Sequence, residues 1–310
     1  MRNEAKECGR MLNRRNFAKT LTAGLGAAAL PALTGAPARK LKIGHTCLTW
    51  NAAPRTPENL EEAVRDIAEL GYHSWETFAD VLDSWDSKGT LAGLIEKYKV
   101  PLTSGYFTTN VTDPSLRKEN IEKVSRLAKI VRKHGGSFLV LAANGVKRAE
   151  YTFAEHRANV VAALNDYAKA AVDAGVGTGF HQHTGTAVES RDEVYALMDS
   201  ADTKYLKFAP DVGQLQKGGA DAAKVIKDFA AITVHMHLKD FSGGQHFSGY
   251  CPLGEGKVDL AAILDTMESS GHPANLMVEL DRSPNTPIAA RDTAVTAKAF
   301  LKKQGYTFRS

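Results

Sequence analysis

The chain has 310 residues, of which 43% are hydrophobic and 24% charged, a length that accommodates one large α/β domain or two smaller ones. Six Lys/Arg and two Asp/Glu fall in the first 38 residues, so the rest of the chain balances 33 basic against 33 acidic residues and its charge gives no argument for nucleic-acid binding. Beyond residue 38 no apolar run is long enough to cross a membrane, so we expect neither a nucleic-acid nor a membrane partner for the processed chain.

The N-terminus carries a twin-arginine pattern. Residues 13–19 read Asn-Arg-Arg-Asn-Phe-Ala-Lys, a weakly apolar stretch rich in Ala and Gly follows, and Ala-Pro-Ala at 36–38 suits cleavage. We expect residues 1–38 to be a cleavable twin-arginine signal peptide, with a disordered tail as the alternative. This leader predicts passage through the twin-arginine export machinery to the periplasm. In that oxidising compartment Cys47 and Cys251 could pair or stay free.

After residue 38, strand and helix patterns alternate eight times. The predicted strands cover residues 41–48, 73–78, 100–107, 137–142, 179–183, 208–211, 230–240 and 276–279. The predicted helices cover residues 57–70, 91–98, 114–134, 153–174, 191–200, 220–230, 260–269 and 292–303. Eight strand–helix pairs predict a single (β/α)8 TIM barrel, residues 39–310. A doubly wound open sheet is the alternative, but the Gly-rich phosphate loop typical of it is absent after the first strand.

The motif His-Met-His-Leu-Lys-Asp at 235–240 marks the end of the seventh predicted strand. Residues two apart in a strand share a face, so His235, His237 and Lys239 are expected on the same side. Imidazole and amine groups are costly to bury without partners. We therefore expect this strand end to have a chemical role.

Four successive strand ends carry metal-capable side chains: His181, Asp211, His237 and Glu279. In TIM barrels the functional groups come from these C-terminal strand ends. Two imidazoles and two carboxylates suit one divalent ion such as Mn, Co, Zn or Fe rather than calcium. The sequence therefore predicts a metal centre at the barrel mouth.

Four motifs resemble the xylose isomerase-like TIM barrels, the sugar phosphate isomerase/epimerase superfamily. They are Asp-Val-Gly-Gln at 211–214, His-Leu-Lys-Asp at 237–240, Pro-Leu-Gly-Glu-Gly-Lys-Val-Asp at 252–259 and Val-Glu-Leu at 278–280. The resemblance covers residues 41–305 and implies Asp211, His237 and Glu279 as metal ligands. At strand five the family usually has Glu-x-His, whereas this chain has His181-Gln182-His183-Thr184-Gly185-Thr186, which looks like the inosose dehydratase branch.

Epimerases and isomerases of this superfamily move a proton between two facing carboxylates, and His181 replaces one of them here. A one-sided mechanism remains, in which the metal stabilises an enediolate, a base removes the proton α to a carbonyl, and an acid helps a β-oxygen leave. Lys239, whose pKa a nearby metal would lower, is the first candidate for base or oxyanion partner, with an ion pair to Asp240 or Asp211 as the alternative. His183 is the candidate acid or a substitute ligand.

Glu76, at the end of the second predicted strand, is a candidate for binding substrate hydroxyls or for a second acid/base role, with a rim carboxylate as the alternative. These residues favour a lyase or dehydratase acting on a keto-sugar, keto-inositol or 3-keto-glycoside. A sugar isomerase or epimerase would need Glu76 as its second carboxylate, and a non-catalytic periplasmic sugar-binding protein is a third alternative. Export and the lack of a phosphate-binding pattern favour a non-phosphorylated carbohydrate substrate.

Overall fold

A computed structural model of the protein describes residues 39–50, 57–281 and 287–310. The expected signal peptide at 1–38 lies outside the described residues and stays a prediction. Within the described part of the chain, no helix combines the length and the apolar character needed to cross a membrane. Cys47 and Cys251 are both free, buried thiols.

Eight parallel strands form one sheet in the order β6-β5-β4-β3-β2-β1-β10-β7. They are β1 (Ile43–Thr46), β2 (Trp75–Phe78), β3 (Leu102–Thr109), β4 (Phe138–Ala143), β5 (Gly177–His181), β6 (Leu206–Phe208), β7 (His235–Leu238) and β10 (Asn275–Val278). A separate antiparallel pair, β8 (Asp240–Phe241) and β9 (Tyr250–Cys251), follows β7. The strand order follows the chain around the sheet, as a TIM barrel requires.

The sheet closes into a barrel where β6 meets β7. Two isolated parallel bridges join these strands, Phe208 with Thr233 and Asp211 with His237. The backbone N–H of His237 donates to the carbonyl oxygen of Pro210 at 2.9 Å across this junction. The predicted (β/α)8 barrel is therefore confirmed.

Alternation along the strands separates the apolar side chains into two groups. In β4, Phe138, Val140 and Ala142 belong to a small cluster with Tyr106 and Ala209 inside the barrel. The intervening residues of β4 belong to the large cluster between strands and helices. Residues two apart share a face, so the same parity directs the polar residues at the strand ends inward.

The helices surround the barrel. They are α1 (Pro57–Glu69), α2 (Ala79–Ser87), α3 (Leu91–Tyr98), α4 (Arg117–Lys133), α5 (Phe153–Asp173), α6 (Arg191–Met198), α7 (Val212–Lys217), α8 (Ala222–Phe229), α9 (Leu260–Ser270) and α10 (Ala290–Lys303). Side chains cap several N-termini: Ser190 and Glu193 form a capping box on α6, and Asp259 Oδ1 accepts from Ala262 N at 3.0 Å on α9.

The structure corrects three expectations about the elements. Helices α2 and α7 were not predicted, because α2 begins directly after the last residue of β2 and α7 directly after the strand-end residue Asp211. The apolar run 230–234 is not strand, since residues Ala230–Ile232 form a 3-10 turn and β7 begins at His235. Thr233 N bonds to Ala230 O at 3.3 Å in this turn, so the histidine motif itself is the strand.

Candidate metal centre and active site

Four side chains predicted from the strand ends lie together at one end of the barrel. His181 ends β5, Asp211 follows β6, His237 lies in β7 and Glu279 follows β10. One ligand atom each from His181, Asp211 and His237 lies within 4.8 Å of the others. Glu279 Oε2 is 3.2 Å from His237 Nδ1. Each of the four residues is at most 3% exposed, so the fold gathers them into one buried cluster.

The donor atoms of this cluster approach one another without forming directed hydrogen bonds. Asp211 Oδ1 caps helix α7, but Asp211 Oδ2, His237 Nδ1 and Glu279 Oε2 are buried with no directed partner among the described residues. Ion pairs with Lys239 and between His237 and Glu279 balance their charges but leave each atom without a well-aligned hydrogen bond. His181 Nδ1 lies 3.1 Å from the carbonyl oxygen of Ala209, so it carries the proton and leaves the Nε2 lone pair available. This donor set fits one borderline divalent cation.

Burial and nearby charges set the protonation of the cluster. Burial, reinforced by the positive charge of His237, lowers the pKa of His181 well below its usual value, so this ring is neutral. Burial would raise the pKa of Glu279, but His237 and Lys239 outweigh it and lower that pKa well below the usual range. A neutral imidazole and an ionised carboxylate are the forms that bind metal ions.

Lys239 lies beside this cluster and is fully buried. Its Nζ is 2.6 Å from Glu279 Oε1, 2.8 Å from Asp211 Oδ2 and 3.1 Å from Asp281 Oδ2. Burial alone would lower the pKa of Lys239, but the carboxylates of Asp211, Asp281 and Glu279 raise it well above its usual range. In the metal-free chain three carboxylates therefore hold Lys239 as an ammonium group, and the lowering of its pKa by a nearby metal ion stays a prediction.

His183 lies at the side of the cluster. Its ring centroid is 6.5 Å from that of His181. Two groups of three metal-capable side chains occur among the described residues, Glu76 with His235 and His237, and His181 with Asp211 and His237, and His183 belongs to neither. His183 Nδ1 is 2.8 Å from the carbonyl oxygen of Thr184 and therefore carries the proton. Gln214 Oε1 accepts from Thr184 Oγ1 at 2.8 Å, which orients the amide so that Gln214 Nε2 donates to His183 Nε2 at 2.7 Å. His183 thus lies in a polar network beside the cluster, and its roles as acid or substitute ligand stay predictions.

Glu76 occupies a deeper position than the sequence indicated. Strand β2 continues to Phe78, so Glu76 lies within the strand and is 0% exposed. Its Oε1 is 2.6 Å from His237 Nε2. Its Oε2 is 3.0 Å from His235 Nε2 and accepts from Ser104 Oγ at 2.5 Å. This depth excludes the alternative of a rim carboxylate, whereas the candidate roles in binding substrate hydroxyls and in acid/base chemistry stay predictions.

Sequence reasoning missed two side chains that border Lys239. Asp281 follows Glu279 by two residues, and this spacing was the available signal, because alternate residues share a face. Tyr250 is 2% exposed, its ring centroid lies 4.9 Å from Lys239 Nζ, and its hydroxyl has no directed partner among the described residues. Tyr250 comes from the β8–β9 pair, which no local sequence pattern indicates.

The loop after β9 is anchored next to Lys239 by the carboxylate of Asp240. This carboxylate, 1% exposed, accepts hydrogen bonds from the backbone N–H groups of Gly254 at 3.0 Å, Gly256 at 2.9 Å and Val258 at 3.1 Å. Of the two ion pairs considered for Lys239, the structure contains the one with Asp211. Asp240 instead holds a loop.

Comparison with known proteins agrees with this architecture. The family model for the xylose isomerase-like TIM barrel matches residues 64–304. An inosose dehydratase of Clostridium botulinum is 22% identical over 297 residues, which cover 86% of this chain and 97% of that protein. The 3-keto-D-glucoside 4-epimerase YcjR of E. coli shares the fold with a TM-score of 0.67 and 18% identity, covering 85% of this chain and all of that one. The IOLI protein with a bound zinc atom gives a TM-score of 0.68 at 17% identity, covering 86% of this chain and 98% of that one.

The family match spans most of the chain, and the barrel and its strand-end residues are those that the motifs indicated. The chain belongs to the xylose isomerase-like TIM barrel family.

Proposed function

We propose that this chain is a divalent-metal-dependent carbohydrate enzyme of the lyase type. It removes the proton α to the carbonyl of a non-phosphorylated keto-sugar, keto-inositol or 3-keto-glycoside and eliminates the β-oxygen substituent. The observation that carries the proposal is the buried cluster of His181, Asp211, His237 and Glu279, in which Asp211 Oδ2, His237 Nδ1 and Glu279 Oε2 lack directed hydrogen bonds among the described residues. The inosose dehydratase relative, which aligns over nearly its whole length, supports the reaction type.

The charges around the cluster suggest how this chain's own residues contribute. His181, Asp211, His237 and Glu279 would hold a divalent ion, which would supply Lewis acidity toward the carbonyl oxygen. Lys239, as an ammonium group, donates a hydrogen bond to the oxygen that becomes negative when the α-proton leaves. His183, whose Nε2 accepts a hydrogen bond from Gln214, takes that proton and returns it to the departing oxygen. For Lys239 this is the oxyanion-partner alternative suggested by the sequence, and for His183 it adds the role of base to that of acid.

An epimerase or isomerase is the second candidate, and Asp281 is the observation that favours it. Glu76 is too deeply buried to act as the second carboxylate of a two-sided proton exchange. Asp281 retains 29% side-chain exposure and lies 3.1 Å from Lys239 Nζ, so it could serve on the other side of the substrate. Deuterium incorporation at the α-carbon without loss of the β-substituent would favour this alternative.

The test combines metal content with activity on a panel of keto-polyols and 3-keto-glycosides. We expect about one divalent ion per chain in the wild type, loss of the ion in Glu279→Gln, and retention of the ion with loss of elimination in Lys239→Met. Lys217→Met is the matched control, because Lys217 Nζ also lies near the Tyr250 ring, 4.8 Å from its centroid. Unlike Lys239, Lys217 is exposed and donates a hydrogen bond to the Ser248 carbonyl oxygen. A wild-type protein that binds no divalent ion after incubation with metal would contradict the proposal and favour a non-catalytic sugar-binding protein.

The preference for a non-phosphorylated substrate rests on charge. Lys239, the cation at the centre of the site, is already surrounded by three carboxylates, which would repel a phosphate dianion. A higher kcat/KM for a sugar phosphate than for the free sugar would contradict this preference.

We also propose that residues 1–38 are a twin-arginine signal peptide and that the mature domain, 39–310, works in the periplasm. The Arg-Arg pair at 14 and 15 supports this. Replacing both arginines by lysine should retain the full-length chain in the cytoplasm, as measured by cell fractionation. Unchanged export of that variant would contradict the proposal.

A further inference from the structure

A buried polar group lies beneath the candidate metal centre and is not part of its ligand set. It consists of Glu76, Ser104 and His235, each 0% exposed. Glu76 and Ser104 face each other in the register of β2 with β3. A carboxylate removed from water at this depth is costly unless its neighbours compensate for the lost hydration.

Both oxygens of the Glu76 carboxylate are engaged. Oε2 accepts a hydrogen bond from Ser104 Oγ at 2.5 Å and lies 3.0 Å from His235 Nε2. The ring of His235 stacks on Phe138 with centroids 4.9 Å apart and an interplanar angle of 3°, which holds this imidazole in place. Oε1 is therefore fixed in position, and its partner is His237 Nε2 at 2.6 Å.

The two nitrogens of the His237 ring differ in their contacts. Nε2 forms a directed hydrogen bond with Glu76, and because an ionised carboxylate only accepts, Nε2 must carry the hydrogen. Nδ1 lies 3.2 Å from Glu279 Oε2 without a directed hydrogen bond. In the metal-bound form only one ring nitrogen can keep its hydrogen, and the contact with Glu76 favours Nε2 and leaves Nδ1 for the ion.

We propose that Glu76 is a positioning residue that, through its Oε1, holds the Nε2–H form of His237 and so presents Nδ1 as the metal-ligating atom. A carboxylate or carbonyl behind a ligating histidine is worth about 10- to 100-fold in metal affinity in other proteins. The inference rests on the metal centre of the proposed function, but not on the reaction catalysed there.

The test uses Glu76→Gln, which keeps the size of the side chain but replaces one accepting oxygen by an amide that donates. Co²⁺ affinity is measured by competition with a chelator in the absence of any sugar, with Ser104→Ala as the matched control. Ser104→Ala removes one hydrogen bond to Oε2 and leaves the Oε1–His237 contact intact. We expect Glu76→Gln to bind Co²⁺ about 10- to 100-fold more weakly and Ser104→Ala to stay within about threefold of wild type.

A second readout identifies the ligating nitrogen. In the Cd²⁺-loaded wild type, nitrogen NMR of labelled histidine should show a protonated Nε2 and a cadmium-coupled Nδ1 for His237. Ligation through Nε2, equal Co²⁺ affinity in Glu76→Gln and wild type, or an equal loss in Ser104→Ala would each overturn the inference while leaving the proposed reaction standing. A wild-type chain that binds neither ion would overturn both.

Discussion

The strongest stability prediction concerns Asp240 and the loop that it anchors. Its carboxylate accepts from Gly254 N and Gly256 N through Oδ2 and from Val258 N and Phe241 N through Oδ1, the last at 2.8 Å. Asp240→Asn keeps one oxygen and sets an amide N–H₂ against the other two donors. Two hydrogen bonds to a charged group are worth about 3 to 6 kcal/mol. Gly254 is exposed and water can reach it, so we expect a loss near the lower end, about 3 kcal/mol.

The assay is urea unfolding, combined with hydrogen exchange at the loop amides. The control is Asp259→Asn in the same loop region, where the exposed carboxylate caps a helix by accepting from Ala262 N. Asn and Asp are similar N-caps, so this control should change the free energy of unfolding by less than about 0.5 kcal/mol. If Asp240→Asn lies equally close to wild type and the amides of Gly254 and Gly256 stay protected, the anchoring argument is wrong.

Three further predictions test other parts of the structure. Burial is the main cause that lowers the pKa of His45 from 6.5 to about 4, so between those pH values the unfolded chain binds a proton that the native chain does not. In metal-free protein the free energy of unfolding should therefore fall by about 3 kcal/mol from this group as the pH drops from 7 to 4. His45→Gln should show a smaller loss over the same pH range. A methyl group at Gly213 would lie 2.8 Å from Lys239 Cγ, so Gly213→Ala should displace Lys239 and reduce kcat/KM about 100-fold; unchanged steady-state kinetics would contradict this. Ser190→Ala removes half of the capping box on α6 and should lower the urea midpoint by an amount equivalent to about 1 kcal/mol, whereas no shift would show that the cap is not needed.

The alternation of strands and helices was predictable because their periodicities differ and because a barrel repeats them eight times. Boundaries were less predictable, as 230–234 illustrates. This run is apolar enough for a buried strand, yet its backbone turns at Ala230–Ile232, and His272 Nε2 contacts the Ala230 carbonyl oxygen at 2.7 Å. Such a contact depends on a residue 42 positions away, which a local pattern does not reveal.

The gathering of the candidate ligands followed from topology, since carboxyl ends of barrel strands meet at one mouth. Depth within the barrel did not follow, because it depends on contacts between distant parts of the chain. The predicted and the observed second strand both end at residue 78, but the contacts of Glu76 with His235 and His237 beneath the mouth form only in the folded chain. The protonation state of Lys239 could not be predicted from the sequence either. It depends on the distances from Lys239 Nζ to the carboxylates of Glu279 and Asp281, which are set only in the folded chain.

The junction between β6 and β7 has a consequence for local opening. Among the described barrel strands it is the one neighbouring pair joined by isolated bridges instead of a continuous ladder, and one of those bridges is Asp211 with His237. Local fluctuations that break backbone hydrogen bonds concentrate where few bonds hold two strands together. Opening of this junction would separate Asp211 from His237, so a cation bound by both residues would hold β6 and β7 together. The amide hydrogen of His237 is bonded to Pro210 O across this junction. Its exchange rate with solvent should therefore be slower when the centre holds a cation than when it is empty.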